Sequence, residues 1–394
     1  MAKFISLFSG CGGFDYGFSQ HFQCAGAYDI EPVAIDSYQR NFSSDAFIHD
    51  LSEFDLPNQS SLTDIDILLS GSPCQGFSTI GKRRIDDPRN KLIYAAPEIA
   101  KKLKPKIVIC ENVPGVKAGQ HSIFWDELKQ RLLDQKYKVE EFVYDFSNHG
   151  LAQTRRRLFL IAYKGKKIDR EALELSVSNQ VTLKDVITNV DNIEDHAYRV
   201  RLAEKDLEIS KKISQGKKLS NVRGGDNSVH TWNIPDIFGE VSTSEQELLE
   251  ALLKFRRRFR VRDFGDADPV SIGTLEEHYK KPYKKNLKSL INKGYVVEKA
   301  EGLYDLKGSF NGKYRRLSYD KPSYTVDTNF GNPKYFLHPK EDRGFSVREA
   351  ARIQGFPDKF VFEGSVSQRF RMIGNAVPPN ISEKLAKIIK DVFY

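Results

Sequence analysis

A chain of 394 residues, 40% hydrophobic and 29% charged, has material for one large and one smaller globular domain and is too apolar for disorder to dominate. No apolar run reaches the length of a membrane span, and Met1 to Phe8 carries a short strand pattern rather than a signal peptide, so the expectation is a cytoplasmic protein. The net charge of +8 suits a polyanionic partner without demanding one, and Cys11, Cys24, Cys74 and Cys110 show neither a CxxC pair nor zinc spacing, which points to reduced thiols and no metal site.

Lys3 to Phe8 reads as a buried strand, followed at once by Ser9-Gly10-Cys11-Gly12-Gly13 and a helix-like Phe14 to Phe18. Glycines at a strand-to-helix turn let the backbone pass close to a small molecule. The turn is not a dinucleotide fingerprint, because a third glycine would fall at Asp15 and no basic residue is present to meet a pyrophosphate. A second strand, Gln23 to Tyr28, ends in Asp29, placed like a carboxylate that takes ribose hydroxyls, with the N-cap of a helix near Pro32 as its other reading. A third, Ala46 to Ile48, leads to Asp50. Glycine turn, Asp29 and Asp50 together suit a nucleoside without phosphates.

The apolar run Ile65 to Ser70 stops at a turn that presents Cys74, and the loop after a parallel strand's C-terminal end is where open α/β sheets place their chemistry. Alone, a cysteine is more often a small core hydrophobe. A long, basic, glycine-containing loop follows to Asn90, then a helical pattern at Leu92, Ala95, Ala96, Ile99 and Leu103. Lys106 to Cys110 is another buried strand, so Glu111 and Cys74 cap neighbouring strands. After an amphipathic helix (Phe124, Leu128, Leu132) come two apolar runs, Val139 to Phe146 and Leu158 to Tyr163. Gln153-Thr154-Arg155-Arg156-Arg157 precedes the second, and strand alternation would send Arg155 and Arg157 to the cleft and Arg156 away. The other reading of the three arginines is a solvated edge.

Phe8 to Gly13, Asp29, Asp50, Gly71 to Gln75, Glu111-Asn112-Val113 and Gln153 to Arg157, with Arg348 to Pro357 and Gly374 to Pro379 late in the chain, resemble the ordered motifs of the DNA cytosine-5 methyltransferases. The likeness covers about residues 1–165 and 315–394, and one departure is Arg156, where bacterial members often carry an acidic residue. The resemblance implies a Rossmann-like α/β sheet of the S-adenosylmethionine-dependent kind with helices on both faces. A catalytic domain would span 1–165 with 343–394, and a smaller target-recognition domain 166–342. It further implies that Phe8, Gly10, Gly12 and Gly13 line S-adenosylmethionine, Asp29 binds its ribose hydroxyls, Ile30 packs on adenine, Asp50 meets the adenine amine, and Pro73 and Asn375 help close the site.

Carbon 5 of cytosine is a poor nucleophile until another nucleophile adds at carbon 6, and a thiolate suits that reversible addition. Cys74 is the expected nucleophile. Glu111 would share or deliver a proton at N3 and Arg157 would hold O2, with Arg155 supporting the cluster. A base stacked in duplex DNA must be flipped out at a cost of a few kcal/mol. Lys82, Arg83 and Arg84 would offset that cost through phosphates, and Ser78 lies where the family's loop meets the DNA backbone.

Residues 166 to about 314 lie outside the resemblance. Ser244 with Glu247 forms a capping pattern before Leu248, Leu252, Phe255 and Phe259, and Thr274 with Glu277 forms another before the basic stretch Lys284 to Lys293. Gly294 stops that helix, and Tyr295 to Val297 and Leu303 to Leu306 read as a hairpin. The order over about 244–306 is that of a winged helix-turn-helix, with Lys284, Lys285 and Lys288 near DNA; the other reading is a structural subdomain with a solvated basic face. The function expected of the whole chain is sequence-specific methylation of duplex DNA by a monomer, in partnership with a restriction endonuclease acting on the same site. The alternatives are methylation of tRNA, as in one branch of the family, and a winged-helix regulator without turnover.

Overall fold

A computed structural model of the chain describes residues 1–73, 86–262 and 267–394. Two compact units are formed: the first from Met1–Arg199, Asp320–Gly331 and Ser346–Tyr394, the second from Val200–Tyr319 and Asn332–Phe345. The boundary expected at residue 165 thus falls later, at Arg199, because Leu173, Leu175 and Tyr163 share one core with the sheet of the first unit.

That sheet contains β1 (Lys3–Leu7), β2 (Gln23–Asp29), β3 (Ala46–Ile48), β4 (Ile65–Ser70), β5 (Ile107–Asn112), β6 (Lys138–Asp145) and β7 (Arg156–Tyr163). Their spatial order is β3-β2-β1-β4-β5-β7-β6, with β7 antiparallel to both neighbours. The chain runs outward from β1 through α1 (Gly13–Phe18), β2 and α2 (Pro32–Asn41) to β3, then returns to β4 on the other side of β1. The resulting topological switch leaves a crevice beyond the C-terminal ends of β1 and β4.

Strand alternation divides the core. Ile5, Leu68, Val108 and Leu160 face one side, where α3 (Ala95–Leu103) and α4 (Ser122–Asp134) cover them with Ile99, Trp125, Leu128 and Leu132. Phe4, Ile67, Ile109 and Phe159 face the other, beneath α1 and the C-terminal helix Pro379–Phe393, which contributes Ile381, Leu385 and Ile389. The expected closing helix is therefore part of the sheet's own cover. It approaches α1 so closely that a Cβ on Gly17 would overlap the backbone of Ser382 and Glu383.

In the second unit, α5 (Thr243–Arg258), β8 (Val270–Ser271), α6 (Ile272–His278), α7 (Lys284–Asn292), β9 (Val296–Ala300) and β10 (Leu303–Leu306) follow in that order. The three strands form an antiparallel sheet, β8-β10-β9. Two helix starts differ from the sequence reading. Ser242 and Glu245, not Ser244 and Glu247, make the capping box of α5, and Ser271 caps α6 by accepting from the Thr274 amide. Both serine–glutamate pairs obey the S/T-x-x-E rule, and burial of Glu245, which takes Lys293 at 2.8 Å, decides between them.

Replacing Gly17 with alanine should cost about 1–3 kcal/mol through overpacking of α1 against the last helix, read as a lower urea midpoint. An unchanged midpoint would contradict this close approach.

Candidate active site and cofactor pocket

A cavity of about 580 Å³ opens at the switch point, lined by the glycine turn, the ends of β2, β4 and β5, and the helix α8 (Val366–Asn375). The glycine turn is held in unusual geometry. Phe8 has φ of 56°, Gly10 of 54° and Gly12 of 96°, and the Ser9 amide donates to the Tyr28 carbonyl at 3.0 Å. A non-glycine residue in the left-handed region at the end of β1 is strained backbone of the sort that clusters at ligand sites. Gly10 has open space where a side chain would stand, while Gly12 does not line the cavity as expected: its Cβ position is filled by the rings of Phe42 and Tyr38.

Asp29, the last residue of β2, uses both carboxylate oxygens. One accepts the Gly10 amide at 2.8 Å and the other the Glu31 amide at 2.9 Å, so the carboxylate orients the glycine turn and the entry to α2, whose N-cap is Glu31 rather than Asp29. Burial raises its carboxyl pKa above the ordinary range. A carboxylate offers about four acceptor sites, which leaves capacity here for a ligand hydroxyl. Asp50 caps a short turn through the Ser52 amide at 2.9 Å, and Ile30 is 58% exposed at the cavity's edge. Phe8, Gly10, Gly13, Asp29, Ile30, Asp50, Pro73 and Asn375 all line this one cavity. The buried Ser9 hydroxyl, with no hydrogen-bond partner among the described residues, is a polar atom left for a ligand. The chemistry of this lining, a buried carboxylate, an exposed apolar side chain and a free hydroxyl, fits the nucleoside end of S-adenosylmethionine.

At the cavity's other end, Glu111 of β5 meets Arg157 of β7, with Arg157 Nε 2.8 Å from Glu111 Oε1 and both side chains largely buried. Burial pushes the Glu111 carboxyl pKa up, and the charges of Arg157 and then Arg155 oppose that shift. The carboxyl is thereby poised to hold or release a proton. Asn112 donates to Ser72 Oγ at 3.2 Å, tying the end of β5 to the turn that leads toward Cys74. Cys74, Ser78, Lys82, Arg83 and Arg84 lie outside the described residues.

Arg155 departs from the expectation that it points into the cleft beside Arg157. It is buried and donates to the carbonyls of Val326 (3.0 Å), Gly374 (3.1 Å) and Ala376 (3.1 Å). Gln153 and Thr154 pair with Ser323 and Tyr324, whereas Arg156 onward pairs with the main sheet. The change of partner at Arg155 interrupts the alternation on which the expectation rested.

Among the described residues, those that escaped the sequence reading include three on α8 and one behind the glycine turn. Gln368, Arg371 and Met372 line the cavity from α8, and a recoverable signal was their spacing of seven, four and three residues before Asn375, which places them near one helix face. Arg371 also bridges to Glu31 at 2.6 Å at the cavity rim. Asp15 is the fourth: its fully buried carboxyl accepts from Ser6 Oγ at 2.8 Å and Tyr38 OH at 3.0 Å, directly behind the glycine turn. Burial pushes its pKa up to about 7.

An α/β sheet with one antiparallel strand, a cavity at its switch point and a buried carboxylate–arginine pair beside it suits an S-adenosylmethionine-dependent methyltransferase. The chain belongs to the C-5 cytosine-specific DNA methylase family, whose profile it matches over residues 2–391. It is similar to the Type II methyltransferase M.HgiCI of Herpetosiphon aurantiacus, 28% identical with 100% of this chain and 98% of the relative covered. The Type II methyltransferase M.AgeI of Thalassovita gelatinovora is 29% identical, with 98% and 99% covered. A crystal structure of a putative DNA modification methyltransferase encoded within an Escherichia coli prophage superposes with a TM-score of 0.62 at 23% identity, covering 100% of this chain and 99% of that one, and supports the fold.

The Asp15 carboxyl carries a pH signature. A carboxyl raised in the folded state stabilises fully below its unfolded pKa and loses that contribution as pH rises to the folded value, here between about 4 and about 7. The stability of the wild type relative to an Asp15→Asn variant should therefore fall across that window and level off above it, measured by urea unfolding at each pH. A constant difference would show that Asp15 does not titrate there.

Proposed function

We propose that this DNA cytosine-5 methyltransferase is the sequence-specific modification enzyme of a restriction-modification pair, acting on duplex DNA as a cytoplasmic monomer. Relatives spanning the whole chain are named Type II methyltransferases, which supports the pairing with an endonuclease that cuts the same site. The observation that carries the residue roles is the Glu111–Arg157 pair, set in the same cavity as the nucleoside pocket and on the strand next to the one that leads to Cys74.

In this reading the Cys74 thiolate adds to carbon 6 of a flipped-out cytosine. Negative charge moves onto N3 and O2 as it does so. Glu111, kept protonatable by burial, delivers or shares the N3 proton, and Arg157 holds O2. Bound S-adenosylmethionine supplies the electrophilic methyl group for carbon 5. Loss of the carbon-5 proton and departure of the thiolate restore the base. Arg155 acts as a positioning residue, bracing the segment that carries Asn375. Lys82, Arg83, Arg84 and Ser78 contact the DNA backbone in this proposal.

Base-resolution sequencing of a plasmid that has expressed the protein in a host without cytosine methylation tests the whole reading. Methyl groups confined to one short sequence are expected, and their absence from soluble wild-type protein would sink the DNA assignment and favour tRNA or binding without catalysis. Cys74→Ala should abolish the marks. Glu111→Gln should lower kcat by roughly 10²- to 10⁴-fold while leaving S-adenosylmethionine affinity unchanged.

A further inference from the structure

The second unit holds a module with its own core and bracing. Leu248 and Leu252 of α5, Leu275 of α6, Leu287 and Leu290 of α7, and Val296 and Leu306 of the hairpin are buried together. Two ion pairs brace it. Glu245 in the first turn of α5 takes Lys293, just beyond α7, and Arg256 in the last turn pairs with Asp305 of β10 while donating to the Val222 carbonyl at 2.9 Å. Helix, short strand, helix, helix and two-stranded wing is the connectivity of a winged helix-turn-helix, in which the second helix of the turn is the one presented to DNA.

That helix is α7, and its two sides differ. Leu287 and Leu290 face inward, while Lys285, Lys288 and Asn292 are exposed at spacings of three and four, so they share the open face. The neighbouring Lys281 and Lys284 are each drawn toward a carboxylate of this module, Glu247 and Glu276, but Lys285 and Lys288 pair with no carboxylate among the described residues. The wing is different in character. Glu298 and Glu301 flank Lys299 there, and Glu298 accepts the Gly302 amide at 3.0 Å, so the wing is poorly suited to phosphates.

A separate feature of the same unit points to the same partner. Arg223, Arg257 and Arg315 come from different segments yet lie close enough to Lys218 to act on its charge. Burial, and after it the charges of Arg315, Arg223 and Arg257, lower the Lys218 ammonium pKa. Like charges gathered in this way are stabilised by a polyanion.

We propose that the module running from α5 to β10 reads a DNA groove, with helix α7 lying in the major groove of the duplex, Lys285 and Lys288 donating to phosphate oxygens or guanine edges, and Asn292 facing the same groove. B-form DNA admits an α-helix in its major groove, whereas the deep, narrow groove of A-form RNA does not, which commits the proposal to DNA. The inference rests on the DNA reading of the proposed function and adds a contact that the chemistry of the active site does not require.

The test uses the full chain carrying Lys285→Gln and Lys288→Gln, substitutions that remove charge at little cost to helix propensity. DNA binding is measured by titration across a salt series, together with nuclease footprinting. Affinity should fall at least tenfold at moderate salt, and the slope of log K against log salt should shrink by about 1.8, at about 0.9 per lost phosphate contact. The footprint should shorten on one flank, and Lys285→Arg with Lys288→Arg should restore affinity. Unchanged affinity and slope in the glutamine variant overturn the proposal, as does a loss that the arginine variant fails to restore. If the wild type methylates DNA and the glutamine variant binds like it, only this inference fails. If the wild type methylates no DNA, the proposed function fails first.

Discussion

The buried guanidinium of Arg155 holds the first unit together across the chain's long excursion. Its hydrogen bonds reach carbonyls of two segments that return to this unit after Tyr319, Val326 in one and Gly374 and Ala376 in the other. Hydrogen bonds from a charged donor each contribute roughly 1.5–3 kcal/mol, and carbonyls stripped of a buried partner would cost comparably. Gln153 adds to the same seam, donating to Ile353 and Gln354 and accepting the Val326 amide at 2.9 Å. A sheet assembled from residues 3 to 163 therefore acquires its last cavity wall, the end of α8 with Asn375, through polar bonds aimed at backbone rather than through apolar packing alone.

Because that seam closes the cavity, the site has two chemically different ends in one enclosure. One end depends on the backbone: the left-handed turn of Phe8, Gly10 and Gly12, pinned by Asp29. The other depends on a desolvated charge pair, in which burial lifts the Glu111 carboxyl and Arg157 limits the rise. Antiparallel pairing of β7 with β5 brings that pair about. Register places Glu111 opposite Phe159, so Arg157 at the start of β7 stands beside the end of β5.

The second unit is held differently. Its buried polar groups include Arg316, which donates to carbonyls of Ile213 at 2.6 Å and of His338 and Ser210 at 2.8 Å, and the ion pairs of Arg256 and Glu245 in the helical module. Removing one partner of such a pair is strongly destabilising where the remaining charge is buried, as Arg256 and Glu245 are.

The sequence by itself determined the strands and what stands at their ends. Continuous apolar runs mark buried strands, and the glycine turn, Asp29, Asp50 and Glu111 each stand where such a strand stops, so the sheet and the residues gathered at its edge were legible from local chemistry. Tertiary structure decided what depended on partners remote in the chain. The direction of Arg155 followed from a change of strand partner, the start of α5 from an ion pair between Glu245 and Lys293, and the extension of the first unit to Arg199 from burial of Leu173 and Leu175 against the sheet. Local pattern records which residues prefer burial or a cap; which of several satisfactory partners each one finds is settled only when distant segments compete for the same site.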